Sequence, residues 1–510
     1  MNVGYPNGEV VSFSPRESEM PIVVVELWKG KSTVSEGALL RIKVFRNQDW
    51  IQLMNHQDNI GASGQYELIK RRRSEIPDAE RVLTLQGKLY QKAKLESDYR
   101  FYVLYDKMFI PYMLREAWKR VKRNAGSPGI DGVTVADIEK NGLDTYLKEL
   151  GDELRTRTYR PKAVKRVMIP KANGGERPLG IPTVRDRIVQ TVCKMILEPI
   201  FEADFKDCSH GFRPNRGAKE AMQSIKDNLA KGKTEILDAD LSKYFDTIPH
   251  DKLMTAVKLR VSDPRMLQLI EMWLKCPIFE DGQFKGGKKQ KMGTPQGGVI
   301  SPLLANLYMH LLDRIVSSTK SLFHRYGITI VRYADDFVLM GKNISTEVLS
   351  KLKELLDRMG LTLNEDKTRL INARNQPFDF LGFTVRYSRD LFVEGKRYWE
   401  IFSSRKSESK IRGRIREYLK SGGHYAPEKV SEGLNTIIRG WLNYFDAGGL
   451  SYMKMPQRRL RKYLMSTIHR YYNRKSQRKS RLYRQKAFEV LTTRYGLIDP
   501  TKHSLSLIRK

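Results

Sequence analysis

Ile328-Thr-Ile-Val-Arg-Tyr-Ala-Asp335-Asp336-Phe-Val-Leu-Met340 is the stretch on which the reading of this chain turns. Apolar and aromatic residues run up to Ala334 and resume at Phe337, so two short strands joined by a tight turn are expected, with Asp335 and Asp336 at the tip. Acidic pairs are common in exposed turns. The unbroken apolar run Phe337 to Met340 sets this pair apart, because a purely solvated turn is not usually followed by one. Upstream, Glu235-Ile-Leu-Asp-Ala-Asp240-Leu241 reads as a buried strand that ends at a third acid. Hard carboxylates clustered at strand ends suit Mg²⁺. Two such ions about 3.5–4 Å apart serve phosphoryl transfer to a 3′-hydroxyl. That reading requires the fold to bring Asp240 to the hairpin.

Around this stretch, residues 124–385 mix short strands, Gly/Pro turns and helices. Val164 to Ile169 and Arg177 to Ile181 read as strands about a Gly174-Gly175 turn. Ser301 as N-cap and Pro302 as first helical residue open a helix with Leu304, Leu307, Leu311 and Ile315 on one face. The order predicts an α+β domain. Before it, helical spacing begins near Ala79, with Leu83, Leu85, Leu89 and Tyr90, and continues from Phe109 to Val121. Residues 1–80 carry little pattern beyond a short strand at Val23-Val24-Val25 and a basic cluster at Arg71-Arg72-Arg73. After Glu400 three amphipathic helices are expected: Ile411, Ile415, Leu419; then Val430, Leu434, Ile437, Trp441, Phe445; then Leu460, Leu464, Ile468. From Lys454 to Lys486 there is no Asp or Glu, and Tyr463, Tyr471, Tyr472 and Tyr483 are interleaved with the cations. Such a stretch suits a nucleic-acid groove, where cations follow phosphates and rings stack on bases. A basic helix with its tyrosines in the core is the plainer alternative.

Composition agrees with a polyanionic partner. Against 92 Lys and Arg stand 58 Asp and Glu, a net charge of +34, and neutralising phosphates releases their condensed counterions. Hydrophobic residues at 40% suffice for real cores, and 510 residues exceed one compact core. No stretch of about 20 apolar residues could span a bilayer, and no signal-peptide pattern follows Met1. Cys193, Cys208 and Cys276 lie far apart, which excludes a disulfide framework and disfavours structural zinc. An intracellular protein that meets nucleic acid is expected.

An ordered series of motifs sharpens this. Asn124-Ala-Gly-Ser-Pro-Gly-Ile-Asp131-Gly132, Ile169-Pro-Lys171 and Arg177-Pro-Leu-Gly-Ile-Pro182 are followed by Ser209-His-Gly-Phe-Arg213-Pro-Asn215-Arg216. Next come Asp238-Ala-Asp240-Leu-Ser-Lys-Tyr-Phe245-Asp246 and Gly293-Thr-Pro-Gln296-Gly-Gly298-Val-Ile-Ser301-Pro302. Tyr333-Ala-Asp-Asp336, Leu363-Asn364-Glu-Asp-Lys367, Phe380-Leu-Gly382-Phe383 and Ile438-Arg-Gly-Trp441-Leu-Asn443-Tyr-Phe445 complete the series. In this order the chain resembles the group II intron-encoded reverse transcriptases and maturases. The resemblance implies an α+β right-hand polymerase, with fingers and an antiparallel palm sheet, followed by an α-helical thumb or maturase domain. It divides the chain into an N-terminal extension (1–80), N-terminal helices and fingers (81–232), palm (233–395), helical thumb/maturase domain (396–450) and basic nucleic-acid-binding extension (451–510).

The resemblance also implies roles. Asp240, Asp335 and Asp336 would hold two Mg²⁺, with Mn²⁺ as substitute, beside the Leu241 carbonyl. Lys171 and Arg177 would grip the triphosphate of a dNTP, unless their hairpin is simply solvated. Phe245 stands where the family places a gate against a 2′-hydroxyl, a position that equally suits a core aromatic. Gln296 would touch the nucleotide or template, and Lys367 would donate a proton to pyrophosphate or be an ordinary surface lysine. Trp441 is read as core. Arg213, Arg216, Lys454, Arg458, Arg459, Arg461, Lys462, Arg470, Arg474, Lys475, Arg478 and Lys479 are expected on nucleic acid.

Implied partners are group II intron RNA, an RNA template with DNA primer, dNTPs and target DNA, but no membrane. Monomer and dimer both stay open, and a bacterial-type cytoplasmic ribonucleoprotein is expected. The paired Cys and clustered His of an HNH endonuclease do not occur before Lys510, so target cleavage is not expected. The implied function is RNA-directed DNA synthesis with assistance to splicing and retromobility. The alternatives are an intron-free relative in defence or DNA repair, and an RNA-binding maturase without polymerase activity.

Overall fold

The computed structural model describes residues 22–27, 40–45, 76–171, 175–287, 290–390, 393–423, 425–446, 448–474, 479–480 and 482–502. The chain forms two compact units, 1–77 and 78–510. In the first, β1 (Ile22–Leu27) pairs antiparallel with β2 (Leu40–Phe45), Ile22 opposite Phe45. The strand expected at Val23 to Val25 lies within β1. The Arg71–Arg73 cluster lies outside the described residues.

The second unit is organised by a four-stranded antiparallel sheet in the order β10-β5-β9-β8. Its members are β5 (Glu235–Ala239), β8 (Thr329–Tyr333), β9 (Asp336–Gly341) and β10 (Arg369–Asn372). The expected hairpin is β8–β9, with Tyr333 opposite Asp336 and a two-residue loop, Ala334-Asp335, between them. A loop that short needs unusual backbone, and Ala334 sits in the left-handed region at φ 60°. The sheet is buried on both faces. Leu237, Ala239, Ile330, Phe337 and Leu339 enter one core, and Ile236, Val331, Val338 and Met340 enter a second. Double burial is why the strands read as continuous apolar runs rather than alternating ones.

The first core is filled largely by helices. Val184–Glu202 and Ser301–Val316 are buried over most of their surfaces. The latter starts one residue differently from expectation: Ile300 is its N-cap, and the Ser301 hydroxyl donates to the Pro295 carbonyl at 2.9 Å instead of capping. Its buried surface is also wider than one stripe, taking in Asn306, His310 and Asp313, while Ile315 is exposed. Helix Asp78–Leu95 packs through Val82, Leu89 and Ala93, so the expected Leu83 and Tyr90 face outward.

A second sheet, in the order β4-β3-β6-β7, stands beside the first core. Strands β3 (Val164–Lys171) and β4 (Gly175–Ile181) form the expected hairpin. The short β6 (Pro277–Glu280) joins β3 in parallel and pairs with β7 (Gln283–Gly286). A third sheet, β11 (Phe378–Phe380), β12 (Phe383–Arg389) and β13 (Arg397–Ser403), lines the second core. Phe380-Leu-Gly-Phe383 is its tight turn, with Leu381 at φ 50° and Gly382 at φ 79°. Helices Arg405–Ser421, Pro427–Phe445, Lys454–Tyr472 and Ala487–Arg494 close that core. The expected Ile411, Ile415, Leu419, Val430, Leu434, Trp441, Phe445, Leu460, Leu464 and Ile468 are all buried in it.

Candidate active site and nucleic-acid surface

The β5–β9 register decides where the acids fall. Ala239 pairs with Phe337, so one step further along the same register Asp240 faces Asp336 across the sheet end. Side chains alternate along strands, which puts Asp238, Asp240 and Asp336 on the face shared with Ile236 and Val338. Directly opposite residues have Cβ atoms about 4.5–5.5 Å apart. Asp335 occupies the loop beside them.

Electrostatics reports the same convergence. Asp336 keeps contact with solvent, yet the protein packed around its base and the charges of Asp335, Asp240 and Asp238 push its carboxyl up to about 6. Burial and then Asp240 raise Asp335, against a backbone amide and Arg177. Burial and Asp240 also lift Asp238 to about 6. Among the described residues, no three His, Cys, Asp or Glu side chains close as a finished metal cage. The donors nonetheless fit a hard divalent cation: all are carboxylate oxygens, and mutual repulsion of this kind is relieved by positive charge. Lys367 supplies some already, its Nζ lying 2.9 Å from Asp240 Oδ2. The Lys367 loop is anchored there, for the Asn364 amide donates to the Asp240 carbonyl at 2.8 Å and the Ser242 amide to the Thr362 carbonyl at 2.9 Å.

The other expected nucleotide contacts distribute around this point. Arg177, exposed on β4, is close enough to be felt by Asp335. Lys171 pairs with Gly175 at the hairpin end, and its side chain lies outside the described residues. The Gln296 carbonyl accepts from the Gly180 amide at 2.5 Å, and its side chain reaches Asp246 at 3.4 Å. A Cβ at Gly297 would collide with the Gly180 carbonyl, so this loop and β4 can touch only through glycine. Phe245 is half-buried, edge-on to Tyr244 with ring centres 5.4 Å apart. Leu241 is buried and bridges to Leu363.

Several cations expected on nucleic acid have other work. Arg213 is buried: it is clamped by Glu202 at 2.6 Å and donates to the carbonyls of Lys206 and Ser209 at 2.6 and 2.7 Å. Its expected nucleic-acid contact is therefore corrected to an internal one. Arg216 pairs with Asp207 at 2.6 Å, nearer the surface. On the basic helix, Arg459 bonds Glu408 and Arg461 bonds Asp499. Arg470 and Arg474 donate to the backbone carbonyls of Ser466 and Tyr471, Arg474 also lying over the Tyr471 ring. Tyr463, Tyr471 and Tyr472 pack in or against the second core, as in the plainer alternative. Tyr472 is buried, and the Tyr463 and Tyr471 hydroxyls donate to the carbonyls of Arg412 and Gly422 at 3.1 and 2.5 Å. Tyr483 lies against Lys479 and Arg484. Lys454, Arg458, Arg461 and Lys462, with Met465, line an open groove along this helix. Lys475 and Arg478 lie outside the described residues.

Two groups that sequence reasoning left without roles stand out. Asp238 was visible only as part of a motif. Arg332, three residues before Asp335, is fully buried with Asp313, at 2.5 Å from its carboxylate. Its position inside an apolar strand was the available signal.

An antiparallel sheet with aspartates converging at one end, faced by a basic hairpin and a glycine-bearing loop, defines a palm of the right-hand polymerase kind. Residues 169–385 match the family described as reverse transcriptase (RNA-dependent DNA polymerase), and residues 408–486 match the group II intron maturase-specific domain. The chain belongs to the group II intron reverse transcriptase and maturase family. Protein YkfC of Escherichia coli is 35% identical over 349 residues, 61% of this chain and 90% of that protein. Group II intron-encoded protein LtrA of Lactococcus lactis is 31% identical over 370 residues, 60% of each. An uncharacterized 91 kDa protein in the cob intron of Schizosaccharomyces pombe is 28% identical, over 70% of this chain and 53% of that one. The chain thus spans little more than half the length of the last two. No helix among the described residues is long and apolar enough to cross a membrane.

Proposed function

We propose that this protein is an RNA-directed DNA polymerase that also binds group II intron RNA and assists splicing and retromobility. The observation that carries the reading is the opposition of Asp240 and Asp336 across the sheet end, with Asp335 in the adjoining loop. Asp240, Asp335 and Asp336 would hold two Mg²⁺, which supply charge neutralisation and an activated 3′-hydroxyl when bound. Arg177 orients the dNTP triphosphate with its planar fork. Gln296 and the glycine beside it position the nucleotide against the template. Lys367, whose Nζ lies 2.9 Å from Asp240 Oδ2, gives a proton to departing pyrophosphate in this reading. In this reading residues 81–232 form the N-terminal helices and fingers, 233–395 the palm, 396–450 the thumb, and 451–510 a nucleic-acid-binding extension.

The test is extension of oligo(dT) on poly(rA) with Mg²⁺. Robust synthesis is expected, falling to background in Asp335→Ala. Undiminished synthesis in that variant would overturn the metal assignment. No synthesis by the parent chain, with intron RNA still bound, would favour a maturase without polymerase activity. Absence of an intron-type RNA fold around the reading frame would favour the intron-free relative.

A further inference from the structure

We infer that Arg332 is a positioning residue for the catalytic hairpin, and that the Ser209–Arg213 segment holds it in place. The inference rests on the reading above, in which Asp335 and Asp336 work at the reacting phosphate. A guanidinium has five N–H groups, and here each meets an acceptor. Nε and Nη2 donate to Asp313 at 2.9 and 2.5 Å, Nη1 donates to Asn306 Oδ1 at 3.0 Å, and Nη2 donates to Ser209 Oγ at 2.7 Å. The fifth bond, Nη1 to the Ala334 carbonyl at 2.8 Å, reaches the catalytic loop itself.

That last bond has a mechanical consequence. A peptide unit is planar, so holding the Ala334 carbonyl also holds the Asp335 nitrogen and Cα. Ala334 has the left-handed backbone that L-residues resist, and an external donor helps keep it there. The segment 208–211 presses on the same turn. The Arg332 amide donates to the Cys208 carbonyl at 2.8 Å, and the His210 amide to the Arg332 carbonyl at 2.9 Å. Asn306 Nδ2 donates to the Gly211 carbonyl at 2.6 Å. A Cβ on Gly211 would stand 2.5 Å from the Ala334 nitrogen and 2.9 Å from the Tyr333 carbonyl carbon, so only glycine fits.

Stability alone does not explain this arrangement. A buried ion pair pays a desolvation cost that apolar side chains of similar volume avoid. What apolar packing lacks is a directional donor for one carbonyl at the turn. The clamp supplies it, and so sets where the Asp335 and Asp336 carboxylates point.

The decisive variant is Arg332→Met with Asp313→Leu, which fills the space and leaves no buried charge. Four quantities separate positioning from packing: thermal melting, hydrogen exchange over residues 330–338 in metal-free protein, Mn²⁺ affinity by calorimetry, and kcat with KM for primer–template. Expected are near-parental melting, faster exchange at the turn, and Mn²⁺ binding about 10–100-fold weaker. With these, kcat should fall about 100-fold while KM for primer–template holds. Parental exchange and Mn²⁺ affinity would overturn the inference, and so would a loosened turn with parental kcat. Should the double variant not fold, Ser209→Ala removes a single acceptor and decides the matter. It should weaken Mn²⁺ binding about tenfold; unchanged affinity and exchange would overturn the inference. A parental protein that binds Mn²⁺ but makes no DNA would defeat the proposed polymerase while leaving the turn-exchange result to stand.

Discussion

Two arginine-bearing segments, both expected on nucleic acid, differ in how far the fold encloses their cations. In Ser209–Arg216, Arg213 turns inward to Glu202 while the backbone of the segment lies against the β8–β9 hairpin. In Lys454–Tyr472 the cations stay near solvent: Lys454, Arg458, Arg461 and Lys462 line an open groove, Arg461 while bonded to Asp499, and Arg459 meets Glu408. The difference lies in what the fold brings near. A cation enclosed together with its acid, as Arg213 is, becomes scaffold, whereas one that reaches solvent keeps part of its charge facing outward even when, like Arg461, it also bonds a buried acid. Charge density in sequence therefore marks both kinds and separates neither.

The contrast breaks most visibly at Arg213. Its side chain is 2% exposed and its partner Glu202 19%, so Arg213→Ala leaves a largely buried carboxylate unpaired. A loss of about 3–5 kcal/mol is expected, read by urea unfolding. A stable variant with weakened RNA binding would restore the surface role. Acid probes the same inner region more gently. Burial first, then neighbouring arginines, hold His210 at about 4, and burial holds His310 at about 4. Unfolded histidines titrate near 6.5, so on acidification the unfolded chain takes up protons that the folded chain refuses. Their contribution is complete above that value and is lost as pH falls toward 4. At pH 5 about 2 kcal/mol each should be missing, and replacing either histidine with Gln should flatten the decline. The smallest effect on folding belongs to the open groove. Replacing Lys454, Arg458 and Lys462 with Ala together should move stability by less than about 0.5 kcal/mol. The slope of log affinity for RNA against log salt should flatten by about 2. An unchanged slope would remove the groove from the binding surface.

Legibility in the sequence followed the same line. The β8–β9 hairpin could be read because both strands are long apolar runs around a two-residue loop. The C-terminal helices could be read because their buried residues keep a helical period. Strand β7 could not: it is four residues long and exposed throughout, so nothing in its composition demands a sheet. Leu83 and Ile315 were misplaced because periodicity identifies a stripe, whereas the contacts of the neighbouring helices decide which side of it is covered. The three aspartates could be named from their motifs, but the opposition of Asp240 and Asp336 depends on strand register, which is a long-range property. Arg213 was misread for a related reason, since its acid, Glu202, belongs to the preceding helix. Tyr463 and Tyr471 turned out to anchor helix Lys454–Tyr472 to helix Arg405–Ser421 and its C-cap Gly422 through their hydroxyls.

The second core joins the sheet face that carries Asp238, Asp240 and Asp336 to the C-terminal helices without a break: Ile236, Val331, Val338 and Met340 lie in one cluster with Leu434, Ile438, Leu464 and Leu491. The sheet and the helical end thus share a wall, so neither packs as an independent module. A chimera that grafts another family member's helical end onto this chain must still fit the apolar half of the sheet face that ends in the aspartates.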